Sequence, residues 1–180
     1  MNLRIKRLIY LALLLLFCTT AFAQPYRRLT VDDFRGIPKT DAGPVVAFTN
    51  CTIEFSYVAT KESYYYVLNF TIRLTMNSNE SWIDRRRIAS NEMIAEILKH
   101  EQGHYNIAYL EQQELLRTVG KTVFYGNYNS VAREIFNRID AKYKQINQNY
   151  DTDTQNSTNR VQQHSWDEYF KKQLEYMPPS

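Results

Sequence analysis

The chain has 180 residues and a formal charge of +3, from 22 basic and 19 acidic side chains, with three histidines and two cysteines. Three of the basic residues (Arg4, Lys6, Arg7) and no acidic ones lie in the first 23 positions, so the remainder is balanced at 19 against 19. That balance excludes an electrostatic footprint for nucleic acid or anionic membranes, and two cysteines exclude a disulfide scaffold.

Residues Met1 to Ala23 have the pattern of a secretory signal peptide: a positive end, an apolar core from Leu8 to Phe17, and Ala21-Phe22-Ala23 as a small-x-small cleavage site. Phe17 before Cys18 is too bulky for a lipid-attachment signal. The expectation is an exported chain starting at Gln24, periplasmic or extracellular, with no membrane insertion after signal removal, since no later stretch is apolar enough. Cys51 is then left without an intrachain partner. The remaining 157 residues (180 less 23) suit a single domain, 24–180.

An opening segment, LTVDDFRG (Leu29 to Gly36), precedes a turn-rich stretch with Pro38, Asp41, Gly43 and Pro44. Two strands follow. Cys51 to Tyr57 alternates Ile53, Phe55 and Tyr57 with Thr52, Glu54 and Ser56, and Tyr66 to Met76 alternates five apolar residues with Val67, Asn69, Thr71, Arg73 and Thr75. Period two with one apolar face predicts a sheet covered on one side. Tyr64 to Tyr66 is read as aromatic strand at a sheet edge rather than a stacking surface. Asn77-Ser78-Asn79 ends the strand, and Arg85 to Arg87 is read as a solvated face or a set of carboxylate partners.

A long helix is expected from a cap at Ser90 or Asn91 to a stop at Gly120. It carries His100-Glu101-Gln102-Gly103-His104, an HEXXH pentad. Histidines four apart on a helix share a face one turn apart, so both imidazoles reach one ion, and a glutamate after the first histidine projects near the open side of that ion. The pattern points to zinc held by His100 and His104 with Glu101 as general base. Gly103 costs the helix roughly 1 kcal/mol against alanine and calls for close approach of another segment. A second helix is expected from about Ser130 to Asn149, with Val131, Ile135, Ile139, Tyr143 and Ile146 on one stripe. Tyr150 to Asn156 is read as a polar connection, and a third helix from about Thr158 to Tyr176 turns Trp166, Phe170 and Leu174 inward before Pro178-Pro179. The fold class expected is α+β: a small antiparallel sheet from the N-terminal half against about three helices.

Catalytic zinc takes three protein ligands as a rule, so one is missing. Glu111 lies close to the face of the pair but about 10 Å further along the axis, and Glu114 is further still. His164 is a candidate by residue type, although it lies about 200° around its helix from Trp166 and faces solvent if Trp166 is buried. Asp151, Asp153 and Asn156 lie on the connection, which could fold back over the site.

The segments LTVDDFRG, Ser81-Trp82, LKHEQGHYNIA and YDTDT, with Trp166 ten residues beyond Asn156, resemble a bacterial family of predicted secreted zinc-dependent proteases, domain of unknown function 922. The resemblance runs from about Leu29 to Leu174. It implies metal-binding roles for His100 and His104, the base role for Glu101, and a third ligand in a pattern YDxxTxHG, where this chain has Asn156 for the histidine. The chain also has Asn106 and Tyr109 where the family tends to be acidic. Two readings stand: a metallopeptidase acting on protein or peptide substrates, with Asp151, Asp153 or His164 completing the zinc site, or a degenerate, non-catalytic member that binds metal weakly or not at all and serves as an envelope-associated binding protein.

Overall fold

The computed structural model describes residues 26–175. The signal-peptide reading, Cys18, Gln24, Tyr176 and the Pro178-Pro179 stop lie outside the described residues.

The sheet elements are β1 (Ala47–Phe48), β2 (Cys51–Lys61), β3 (Tyr66–Met76) and β4 (Trp82–Ile83), and the helices are α1 (Asn91–Gly120), α2 (Tyr128–Thr154) and α3 (Arg160–Glu175). β2 and β3 form an antiparallel hairpin in the register Cys51↔Met76 to Lys61↔Tyr66, and β1 pairs antiparallel with β4. The fold is α+β. Burial alternates along both long strands, so Ile53, Phe55 and Tyr57 with Leu68, Phe70 and Ile72 face the helices while the threonines and charged residues face out. Tyr64 and Tyr65 form the hairpin turn, closed by Glu62 N–H on Tyr65 O at 2.9 Å; only Tyr66 of the triplet is in the strand, and Tyr64 is exposed.

α1 is the axis of the molecule. Ser90 caps it, its side chain accepting from Met93 N–H at 3.1 Å, which satisfies one of the unpaired N-terminal donors. Its middle, Tyr105 to Leu110, is buried on every side because two hydrophobic clusters meet there. One joins α1 to the hairpin, α2 and α3 through Ile72, Leu115, Ile139, Tyr150 and Phe170. The other joins it to the N-terminal segment and the β1–β4 ladder through Leu29, Phe34, Leu74, Ile83 and Tyr105.

The N-terminal motif blocks lock onto each other. Gly36 N–H donates to Ser81 O at 2.8 Å, and a Cβ at Gly36 would stand 2.8 Å from that oxygen and 2.9 Å from Asn79 O, a separation only glycine tolerates. Ser81 is fully buried and its hydroxyl accepts from Asn50 N–H at 2.8 Å, which fixes the Thr49-Asn50 corner between β1 and β2 over α1. The arginine run is a short 3-10 turn: Arg86 pairs with Asp84, and Arg87 donates to the Gly43 and Val45 carbonyls.

One expected boundary is overturned. Tyr150 to Thr154 is not a connection but the last turns of α2. Tyr150 and Thr154 are fully buried and continue the stripe of Tyr143 and Ile146 at helical spacing, with Thr154 Oγ1 donating to Tyr150 O at 2.6 Å. The helix stops instead at Gln155, Asn156 and Ser157, three successive residues at φ 49°, 51° and 78°, the left-handed region. α3 then starts two residues later than expected, with Asn159 Oδ1 accepting from Gln162 N–H.

Candidate metal centre

His100 and His104 sit on the face of α1 that packs against α2, and their Nε2 atoms are 3.2 Å apart. The last turns of α2 bring Asp151 onto them: its Oδ1 is 3.3 Å from His100 Nε2 and 3.1 Å from His104 Nε2. The three atoms form a nearly equilateral triangle. Two donors bound at about 2.0–2.1 Å to one tetrahedral ion stand about 3.3 Å apart, so the triangle has the edge length of a cation site.

The hydrogen bonds behind the rings decide what the triangle presents. Thr154 spends its proton on Tyr150 O, and the Tyr150 hydroxyl donates to His100 O at 3.0 Å while accepting from Gln163 Nε2 at 2.8 Å. The Thr154 oxygen and Gln163 Oε1 are thus left to accept from His100 Nδ1, at 3.3 and 3.2 Å. Asn147 Oδ1 accepts from His104 Nδ1 at 2.8 Å. With the proton on Nδ1 in each ring, both Nε2 lone pairs and a carboxylate oxygen point at one another. Three acceptors at that spacing repel unless a cation lies among them.

The same geometry shifts the ionisation. Burial opposes charge on His104, yet the Asp151 hydrogen bond and the fields of Glu101 and Asp151 push its pKa up to about 9. Burial likewise opposes charge on Asp151, and the two imidazoles outweigh it, holding the carboxyl well below the usual carboxylate range. Both shifts favour a positive charge among the three atoms.

Glu101 is nearly fully buried beside the pair. Its Oε2 accepts from Thr49 Oγ1 at 2.6 Å, from the corner that Ser81 fixes. The ligand atoms of His100, Glu101 and His104 all lie within 4.8 Å of one another, and this group could hold a metal ion. A cavity of about 130 Å³ opens on the four side chains, with Ala47, Thr49 and Asn156 on its rim.

Gly103 has its close approach: a Cβ there would overlap the Tyr150 ring. That ring stacks on His100 at 4.7 Å between centroids and 13° between planes. Tyr150 therefore needs a bare α1 surface to reach the back of the ligand.

Of the candidates for the third position, Asp151 meets both imidazoles. Asp153 points away, its Oδ2 accepting from Trp166 Nε1 at 3.1 Å, and His164 is exposed on α3 one residue past the buried Gln163. Glu111 and Glu114 lie further along α1. Asn106 and Tyr109 face the N-terminal segment instead, where Asn106 Oδ1 accepts from Tyr26 and Gln102 and Tyr109 meets the Tyr26 ring edge-on. Sequence reasoning missed Thr49, Asn147 and Gln163, whose only mark was polarity. It also missed Tyr150, although that residue continues the α2 stripe.

Residues 30–160 match the family described as bacterial protein of unknown function, DUF922. The chain belongs to that family. No curated relative and no solved structure matches it. Within the family match fall the pentad, Asp151 and the LTVDDFRG block from Thr30 onward, while Gln163 lies beyond it.

Proposed function

We propose that this DUF922 protein is an exported zinc-dependent peptidase, with His100, His104 and Asp151 holding the ion and Glu101 as general base. The observation that carries the proposal is the triangle of two imidazole nitrogens and one carboxylate oxygen at 3.1–3.3 Å. Zinc is the ion that fits best, because it accepts mixed nitrogen and oxygen donors in tetrahedral sites and leaves a fourth position open in catalytic ones. When bound, it supplies Lewis acidity, polarising a scissile carbonyl and making water easier to deprotonate.

The chain's own residues do the rest. Glu101 takes the proton of the attacking water on the oxygen that Thr49 leaves free, and passes it to the departing amine. Thr49 fixes the carboxylate rotamer, and Asn147 and Gln163 fix the ring tautomers. The cavity gives a backbone carbonyl room beside the pair. The signal-peptide pattern supports export, and nothing in this reading calls on a nucleic-acid or membrane surface.

A second reading, metal retention without hydrolysis by an envelope-associated binding protein, is favoured by the deep burial of Glu101 and the capture of one of its oxygens. One experiment separates the two. Purified mature protein should hold about one zinc per chain and cleave an unstructured protein. Glu101→Gln should keep the zinc and lose roughly 100-fold or more in turnover. Zinc bound with no cleavage by the wild type on any unfolded substrate would establish the second reading.

A further inference from the structure

A groove of about 370 Å³ leaves the metal centre at His104 and runs between α1 and α2 on one side and the Phe48–Ile53 stretch on the other. Its walls are apolar at Ile53, Ile107 and Ala108 and, beyond Asp140, at Phe136, and its far end carries Glu111, Asp140 and Lys144. The size falls within the range of ligand sites.

The carboxylates of this face are supplied with partners, with one exception among the described residues. Asp151 has the two imidazoles, Asp140 has Lys144 at 2.9 Å, and Glu114 has Lys142 and Tyr143. Glu111 is half-buried, forms no hydrogen bond or ion pair, and feels Lys144 only through space. With Glu111 ionised, two carboxylates and one ammonium leave the far end with one net negative charge. Burial, and then the neighbouring Asp140, push Glu111 up to about 7, the mark of a carboxylate short of a counter-charge.

We propose that this groove receives a lysine or arginine side chain of the peptide, with Glu111 as the residue that selects it. The inference rests on the peptidase reading for its substrate class. Glu111 is seven residues beyond His104, within about 20° of the same face and about 10 Å further along. A basic side chain covers that span from a backbone lying across the histidine pair. Its methylene stem lies along Ile107 and Ala108, as such stems do on apolar surface, and its charged head meets the partnerless carboxylate. An apolar side chain would bury Glu111 further without a partner, and an acidic one would be repelled.

The test uses zinc-loaded mature protein and otherwise identical unstructured peptides that carry lysine, norleucine or glutamate, scanned one position at a time. At one position kcat/KM should favour lysine over norleucine by about tenfold, the size of a charge-assisted hydrogen bond. Glu111→Gln should bring that ratio to about one, and Glu111→Lys should turn the preference toward glutamate. Thermal melts confirm that each variant is folded. Cleavage with no lysine preference at any position, or a preference that survives Glu111→Gln, overturns the inference and leaves the peptidase reading standing. The binding arm works without turnover: on Glu101→Gln protein, fluorescence anisotropy should show the lysine peptide held tighter than the norleucine peptide only while Glu111 is present. Where the wild type itself cleaves nothing, that result would uphold the groove's preference while the peptidase reading falls, and equal affinities would overturn the inference.

Discussion

Asp151 at the metal centre and Glu111 at the far end of the groove that leaves it are ionised by opposite logic. Asp151 has two imidazoles at 3.1–3.3 Å, which hold it charged despite burial. Glu111 has no contact partner, and burial pushes it up to about 7. The same functional group, on two helices packed together, is thus held ionised at one end and left open to a counter-charge at the other. What separates them is the company each keeps, which a residue type alone does not disclose.

The largest effect should come from breaking the ligand end. Asp151→Ala removes one corner of the triangle, and zinc affinity should fall by more than the roughly 10–100-fold typical of losing a supporting residue. Competition with a chromogenic chelator measures it, and His164→Ala should be silent in the same assay because that side chain is exposed on α3. Gly103→Ala acts on the backing of the site. Tyr150 is fully buried and stacked on His100, so it cannot swing away from the new methyl group, and the cost should be about 1–3 kcal/mol, read as a lowered melting temperature. Gln163→Ala leaves the triangle intact but frees the His100 ring, and should weaken zinc by about tenfold or more with little change in helix content.

The smallest effect is at the other end. Because the native state holds the Glu111 proton to about pH 7 while the unfolded chain releases it near 4.5, the native state binds more protons in between, and stability must fall as pH rises across that window. Discounted for its partial exposure, the loss should be on the order of 1 kcal/mol, and Glu111→Gln should remove it, lowering the slope of the stability curve between pH 4.5 and 7 while the fall due to His104 above pH 6.5 remains.

Much of the scaffold is written in local patterns. The alternation of Tyr66 to Met76, the Ser90 cap and the histidine spacing each follow from a period or a single residue, and each stands where expected. The end of α2 does not. YDTDT looks like a loop by composition, and its terminator is a run of three left-handed residues without glycine or proline, which no local rule announces. Reading that segment as helix is what brings Asp151 to the pair and turns Asp153 away, since residues two apart on a helix point in different directions. His164 could be set aside from its angle to Trp166, but Thr49 and Gln163 reach the site only through tertiary packing, 52 and 63 residues away from their partners in sequence.

The most direct test of the central claim is a crystal structure of zinc-loaded mature protein with anomalous scattering measured at the zinc edge. One strong peak is expected within about 2.2 Å of His100 Nε2, His104 Nε2 and a carboxylate oxygen of Asp151. A peak elsewhere, or the triangle closed around protons with no zinc in it at saturating metal, would contradict it.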